Sequence, residues 1–180
     1  MALKATIFKA DLQIADMDRN YYGDHSLTLA RHPSETDERM MVRLLAFALN
    51  ASDTLAFCKG LSSEEEPDLW QKDLTDAIEM WVEVGLPDEQ RLRKACNRSK
   101  KVTVYAYGGR GADVWWKQIE NKLTRFDNLT VYNLPGDSSE LLATLAQRTM
   151  RLQCTIQEST VWLSDGEKSV EVEPVVWKQG

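Results

Sequence analysis

The chain has 180 residues, 43% hydrophobic and 28% charged, and carries a formal charge of −6. That length buries one sizeable core, so one domain over residues 1–180 is expected, and the acidic balance excludes a protein that coats nucleic acid without specificity. No apolar run reaches the roughly 18 residues that cross a bilayer, and the opening MALKATIFKADLQ mixes charge among its apolar positions, so a cytoplasmic, non-membrane chain is expected, with a monomer favoured. Cys58, Cys96 and Cys154 are odd in number and never spaced as Cys-x-x-Cys, which indicates neither a disulfide framework nor a zinc site.

In chain order, LKATIFKADLQIAD and SLTLARH alternate as strands around the turn residues NYYGD, and form a plausible antiparallel pair. Ser34 then reads as a helix N-cap, with Met41, Val42, Leu45, Ala48 and Leu49 recurring at helical spacing. Strands follow in Leu55 to Gly60, Pro67 to Asp73 and Ala77 to Gly85, the last two close enough for a hairpin. Pro87, Asp88 and Glu89 suit the first turn of a helix running to Arg98. VTVYAYG is a strand, Ala112 to Leu123 a helix, LTVYNLP a short strand and Ser138 to Arg148 a helix. The C-terminal third, Leu152 to Trp177, reads as a meander with a turn at Asp165-Gly166. The expected class is α/β (α+β), a mixed sheet with flanking helices, whose central order is helix, three strands, helix, strand.

WVEVG, Trp81 to Gly85, puts a carboxylate inside an apolar strand. Parity gives Ile78, Met80, Val82 and Val84 one face and Glu79, Trp81, Glu83 and Gly85 the other. A hairpin pairing residues whose numbers sum to 151 sets Asp68 opposite Glu83 and Lys72 opposite Glu79. Two carboxylates so placed repel unless a cation neutralises them, and Mg2+, with Mn2+ as substitute, accepts one or two carboxylates plus water. Glu38 continues the inward stripe of Met41, Val42 and Leu45 and is a third candidate ligand. The basic helix after Pro87 adds Gln90, Arg91, Lys94 and Arg98, a face that suits phosphate oxygens.

HPSETDERMMVRLLAFAL, EPDLW, WVEVGLPDEQRLRKAC, VYAYGGRGADVWWKQI and TVWLSDGEKSVEVEP together resemble the YaeQ family of bacterial proteins over nearly the whole chain. The resemblance implies a compact variant of the PD-(D/E)XK, restriction-endonuclease-like fold, which the order of elements matches. It carries the superfamily's first-helix glutamate to Glu38, its proline-aspartate to Pro67-Asp68 and the acid of its acid-x-lysine strand to Glu83. The lysine two residues on is Gly85 here. Lys94 is the first choice to replace it, Gln90 the second, with Lys72 on the preceding strand also in reach.

The function so implied is metal-dependent hydrolysis of nucleic-acid phosphodiesters with a degenerate motif, Asp68, Glu83, Lys94 and Gln90 being the catalytic candidates. The alternatives are a nuclease-like protein without chemistry that binds nucleic acid or a protein of the transcription machinery, and a structural or interaction protein whose acids form salt bridges. Trp115, Trp116, Ile119 and Leu123 read as core, although adjacent tryptophans cannot both face inward. GGRG, Gly108 to Gly111, lacks the lysine and hydroxyl of a P-loop and reads as a strand-to-helix turn. His25 and His32 have no cysteine or acid at metal spacing.

Overall fold

In the computed structural model, which describes residues 4–59 and 63–180, the elements run β1 (Thr6–Asp16), β2 (Tyr21–Arg31), α1 (Asp37–Asn50), β3 (Leu55–Phe57), β4 (Leu69–Lys72) and β5 (Ile78–Val84). They continue with α2 (Glu89–Arg98), β6 (Ser99–Ala106), α3 (Arg110–Leu123), β7 (Leu129–Asn133), α4 (Ser138–Ala143), β8 (Thr149–Gln157), β9 (Thr160–Ser164), β10 (Ser169–Val172) and β11 (Val175–Lys178). The chain divides into two compact units, one running up to Leu49 and again over Asp137–Pro174, the other formed by Asn50–Gly136 and Val175–Gly180. The architecture is mixed α+β.

The first unit holds a five-stranded sheet in the order β10-β9-β8-β1-β2. β1 and β2 pair antiparallel over their full lengths, as their alternation suggests, and β8 lies parallel to β1. The turn is tighter than expected. β2 already begins at Tyr21, because Asn20 takes the left-handed conformation that closes the hairpin. Phe8, Ala10, Leu12 and Ile14 of β1 are buried with Met150, Leu152, Cys154 and Ile156 of β8, the two-residue period of a half-buried sheet. β8, β9 and β10 form the expected meander, whereas β11 belongs to the other sheet.

Two helix boundaries differ from expectation. Thr36, not Ser34, caps α1: its Oγ1 accepts from Arg39 N at 3.1 Å, while Ser34 turns its hydroxyl to His32. α4 ends at Ala143 instead of reaching Arg148, since Met150 and Leu152 have strand parity and draw β8 forward to Thr149. α1 is buried from Met40 to Ala48 on every face. Its one charged residue there, Arg43, donates to both oxygens of buried Glu35 at 2.8 and 2.7 Å, and Arg39 donates to the same carboxylate at 2.8 Å. A charge so deep is tolerated because it is paired and hydrogen-bonded.

The second unit holds a six-stranded sheet in the order β11-β7-β6-β5-β4-β3. β5, β6 and β7 are parallel to one another, and β3, β4 and β11 run antiparallel to their neighbours. β3 ends at Phe57, and Gly60, the expected end of that strand, lies outside the described residues. The β4–β5 hairpin keeps the anticipated sum of 151 for Leu69–Val82, Trp70–Trp81 and Gln71–Met80. A bulge after Gln71 then pairs Lys72 with Ile78. Glu79 is thereby released from Lys72 and meets Lys100 at 3.1 Å, while Lys72 lies over the Trp70 ring and 3.4 Å from Asp76. One core joins Trp81, Leu92, Ala95, Val102, Val104, Ile119, Leu123, Leu129 and Val131, so α2 and α3 cover the face of the sheet that carries Trp81.

Candidate functional site

β5 delivers Glu83 by parity. Trp81 and Glu83 share a face, and the indole Nε1 of Trp81 donates to Glu83 Oε1 at 2.8 Å. Glu83 is only 3% exposed, and Asp68, just ahead of β4, is 1% exposed. Asp68 adopts a strand-end role at the same place: its Oδ2 accepts the N–H of Val84 at 2.8 Å, while its own N–H goes to the carbonyl of Val82. The aspartate thus substitutes a side-chain oxygen for a ladder carbonyl beside the residue that follows Glu83.

The two acids share one electrostatic environment. Burial, first, and the negative charge of Asp68, second, lift the Glu83 carboxyl from an ordinary 4.5 to about 7, against the opposing pull of Arg91 and the Trp81 hydrogen bond. Arg91 is the cation of this site. Its Nε donates to Glu83 Oε1 at 2.8 Å, its Nη2 to the Glu66 carbonyl at 2.9 Å, and its Nη1 lies 3.5 Å from the carbonyls of Ser63 and Glu64. The five-donor guanidinium fork suits this, since one residue answers a buried carboxylate and a loop of carbonyls together. Arg98, two turns further along the same side of α2, packs over Trp81 at 5.2 Å and holds the Glu65 carbonyl at 2.9 Å.

Lys94 and Gln90 are both exposed on α2. The helix is capped by Asp88, whose Oδ1 accepts from Arg91 N at 2.8 Å, and it buries Leu92, Ala95 and Cys96. Arg91 stands four residues before Ala95, on the flank of that inward stripe, and Gln90 and Lys94 stand outside it. The spacing to Ala95 was the available signal for Arg91. Glu38 belongs to α1 of the first unit, where its carboxylate accepts from the buried Ser139 hydroxyl at 2.9 Å.

Gly85 is more than a missing lysine. β5 ends at Val84, and Gly85 has φ +105 with its N–H bonded to the Tyr105 carbonyl at 3.0 Å. A side chain there would meet open space but would have to hold a backbone that L residues rarely adopt.

Among the described residues no group of three or more His, Cys, Asp or Glu side chains could hold a metal ion. Asp68 and Glu83 carry carboxylate oxygens, the donor type that Mg2+ takes one or two of while keeping the rest of its shell as water. Both donors to Glu83 converge on Oε1, which leaves Oε2 as its oxygen for a cation.

Fold and site together define an α+β protein with a buried acid pair served by an arginine. The sequence model of the YaeQ protein matches residues 1–174. Uncharacterized protein YaeQ of Salmonella typhi is 48% identical over 99% of both chains, and that of Escherichia coli (strain K12) 47% over the same share. The crystal structure of the YaeQ protein from Xanthomonas axonopodis pv. citri superposes with a TM-score of 0.94 at 50% identity, covering 98% of this chain and 99% of that one. That of Pseudomonas syringae gives 0.93 at 37% identity, over 98% and 97%. The chain belongs to the YaeQ family. Among the described residues no helix is long and apolar enough to cross a membrane.

Proposed function

We propose that this chain is a nuclease-like protein of the PD-(D/E)XK type, acting on nucleic-acid phosphodiesters with a divalent cation, Mg2+ or Mn2+, held by Asp68 and Glu83. The observation that carries the reading is the pairing itself: two almost fully buried carboxylates, the negative charge of Asp68 raising the proton affinity of Glu83, and Arg91 bonded to Glu83. Buried carboxylates side by side cost stability unless positive charge offsets them. The cation would supply that charge, neutralise the phosphate and make a bound water more acidic.

The chain's own residues do the rest. Asp68, fixed by the Val84 N–H, and Glu83, fixed by Trp81, orient the carboxylates from a rigid strand end. Arg91 holds Glu83 in place and, on releasing the carbonyls of Ser63, Glu64 and Glu66, turns its Nη groups to a phosphate oxygen. In this reading Arg91 takes the part that the resemblance first suggested for Lys94 or Gln90.

The test is thermal unfolding with Mn2+ combined with cleavage assays on single- and double-stranded substrates. The wild-type melting point rises with Mn2+, and Asp68→Ala and Glu83→Ala each remove the rise. A wild-type protein indifferent to Mn2+ and Mg2+ refutes the proposal. A second reading, binding of nucleic acid without hydrolysis, is favoured by Gly85, which has φ +105 and stands where the resemblance expects the motif's lysine. Salt-sensitive affinity with no turnover in the same assays selects it.

A further inference from the structure

β8 runs on past the strand beside it. Its residues Gln153 to Gln157 pair with β9, but β9 ends at Ser164, opposite Gln153, and the chain then turns through Asp165 to Lys168 into β10. Thr149 to Leu152 are therefore paired with β1 on one side and, among the described residues, with no strand on the other. The ladder shows which backbone groups this leaves open. Lys9 N donates to the Arg148 carbonyl and Met17 N to the Ile156 carbonyl, so the even residues of β8 serve β1 and the odd ones face the β9 side. The N–H and C=O groups of Thr149 and Arg151 thus point past the end of β9, and no hydrogen bond among the described residues takes them.

That edge borders open space. Two adjoining hollows, of about 310 and 360 Å³, share Arg151, Leu152 and Asp165. Thr149 lines the first, Glu167 borders it from the turn, and buried Leu145, Met150 and Leu152 give it an apolar floor. Lys168 donates to the Thr144 carbonyl at 3.2 Å and so ties the turn to the end of α4. Arg151 is the exposed cation of this space, and no ion pair among the described residues engages it. Asp11, opposite it on β1, instead accepts from the Ser26 hydroxyl at 3.0 Å. Asp165 turns its Oδ1 to the N–H groups of Glu167 and Lys168 at 2.9 and 2.8 Å. Open sheet edges are ordinarily guarded by lysine, proline or a bulge. Residues 149–152 carry neither lysine nor proline, and their register with β1 is unbroken.

We propose that this notch takes an extended peptide segment of a partner protein, added antiparallel to β8 in the line of β9 and carrying an acidic residue opposite Arg151. Donors and acceptors that repeat at strand spacing are matched by another extended backbone, which offers both at the same interval. Thr149 and Arg151 each exchange an N–H and a C=O with the residue opposite. The acid lies on the outer side of the sheet beside the guanidinium, where opposite charges across a ladder attract. Its two neighbours in the peptide point inward by parity, over Leu145, Met150 and Leu152, and are therefore apolar. The pattern recognised is apolar, acid, apolar. Asp165 and Glu167 at the turn oppose the acid, and Arg151 stands closer to it in the ladder. The notch lies wholly in the first unit and does not depend on Asp68 and Glu83, which belong to the second.

The experiment is amide NMR of the full chain, titrated to about 10 mM with the tetrapeptide acetyl-Val-Glu-Val-Thr-amide and, separately, with acetyl-Val-Lys-Val-Thr-amide. The first is expected to shift the amides of Thr149 and Arg151 and to slow their exchange with solvent, and the second to bind about fivefold more weakly. Thr149→Pro removes an outward N–H and no bond to β1, at the first residue of a strand, where proline is tolerated. It is expected to weaken binding about fivefold. Arg151→Glu, an exposed substitution, is expected to reverse the preference between the two peptides, and Asp68→Ala to leave both affinities unchanged. Shifts absent from Thr149 and Arg151, shifts confined to other parts of the chain, a lysine peptide that binds as tightly as the glutamate peptide, or an Arg151→Glu protein that keeps the wild-type preference would each overturn the assignment.

Discussion

Replacing Glu83 with glutamine isolates the energetics of the acid pair. The amide keeps an oxygen for Trp81 and Arg91 but removes the titrating group. In the wild type the folded carboxyl titrates at about 7, against 4.5 when exposed. The folded chain therefore retains a proton between those values that the unfolded chain has lost. Stability is fully present below pH 4.5 and is lost as the pH rises through 7, because stability falls wherever the native state binds more protons. At about 1.4 kcal/mol per pH unit the whole loss is about 3 kcal/mol. Glu83→Gln does not pay it. Urea unfolding in EDTA, at intervals from pH 5 to pH 8, measures the difference between the two proteins. Tryptophan fluorescence reports mainly the relevant unit, since Trp70, Trp81, Trp115, Trp116 and Trp177 lie in it and Trp162 in the other. The expected result is a wild type that loses ground to the variant by about 1.4 kcal/mol per unit between pH 5 and 7, and recovers it when Mn2+ is added at pH 8. A difference that stays constant, or a wild type that gains on the variant as the pH rises, refutes the reasoning, because it means that the Arg91 ion pair outweighs burial.

Arg91→Ala leaves the Glu83 carboxylate buried with only Trp81 and costs about 2–3 kcal/mol in urea unfolding at pH 8, and Arg91→Lys, lacking the fork, restores less than half of it. Gly85→Lys lowers stability by about 1–3 kcal/mol because of the positive φ at that position; a melting point equal to that of wild type counts against that strain. The thiols of Cys58, Cys96 and Cys154 are pushed up by burial to about 12, 11 and 12. A disulfide reagent at pH 8 therefore modifies them at least tenfold more slowly in the folded protein than in urea, and fast labelling of half-buried Cys58 contradicts this.

The strands and hairpins were legible because parity and hairpin spacing are local, whereas the division into two sheets in place of the single mixed sheet expected was not. Trp81 and Glu83 share a face, and the sum of 151 holds through Gln71–Met80. It fails one residue later. A bulge is an insertion in a ladder whose sequence cost is small, and it changed the partner of Lys72 from Glu79 to Asp76. The same kind of limit applies to the helices. Ser34 and Thr36 are both capping residues, and a local hydrogen bond that ties Ser34 to His32 decides between them. That the meander joins the N-terminal hairpin in a sheet of its own, with β8 parallel to β1, rests on contacts more than 130 residues apart. No periodicity encodes those.

The cation at the acid pair is the most instructive case. A strand lysine two residues beyond an acid reaches the same side of the sheet because the strand continues past it. Here β5 stops at Val84, and the chain turns through Gly85 so that α2 can begin at Glu89 with Asp88 as its cap. A strand that ends at Val84 gives no platform to a side chain two residues beyond Glu83, and the first turn of α2 follows the acid closely in sequence. Arg91, eight residues beyond Glu83, then faces it from that turn, and its backbone N–H is tied to the cap. The turn at Gly85 and the approach of Arg91 thus belong to one local arrangement, and a search along the strand for a lysine does not see it.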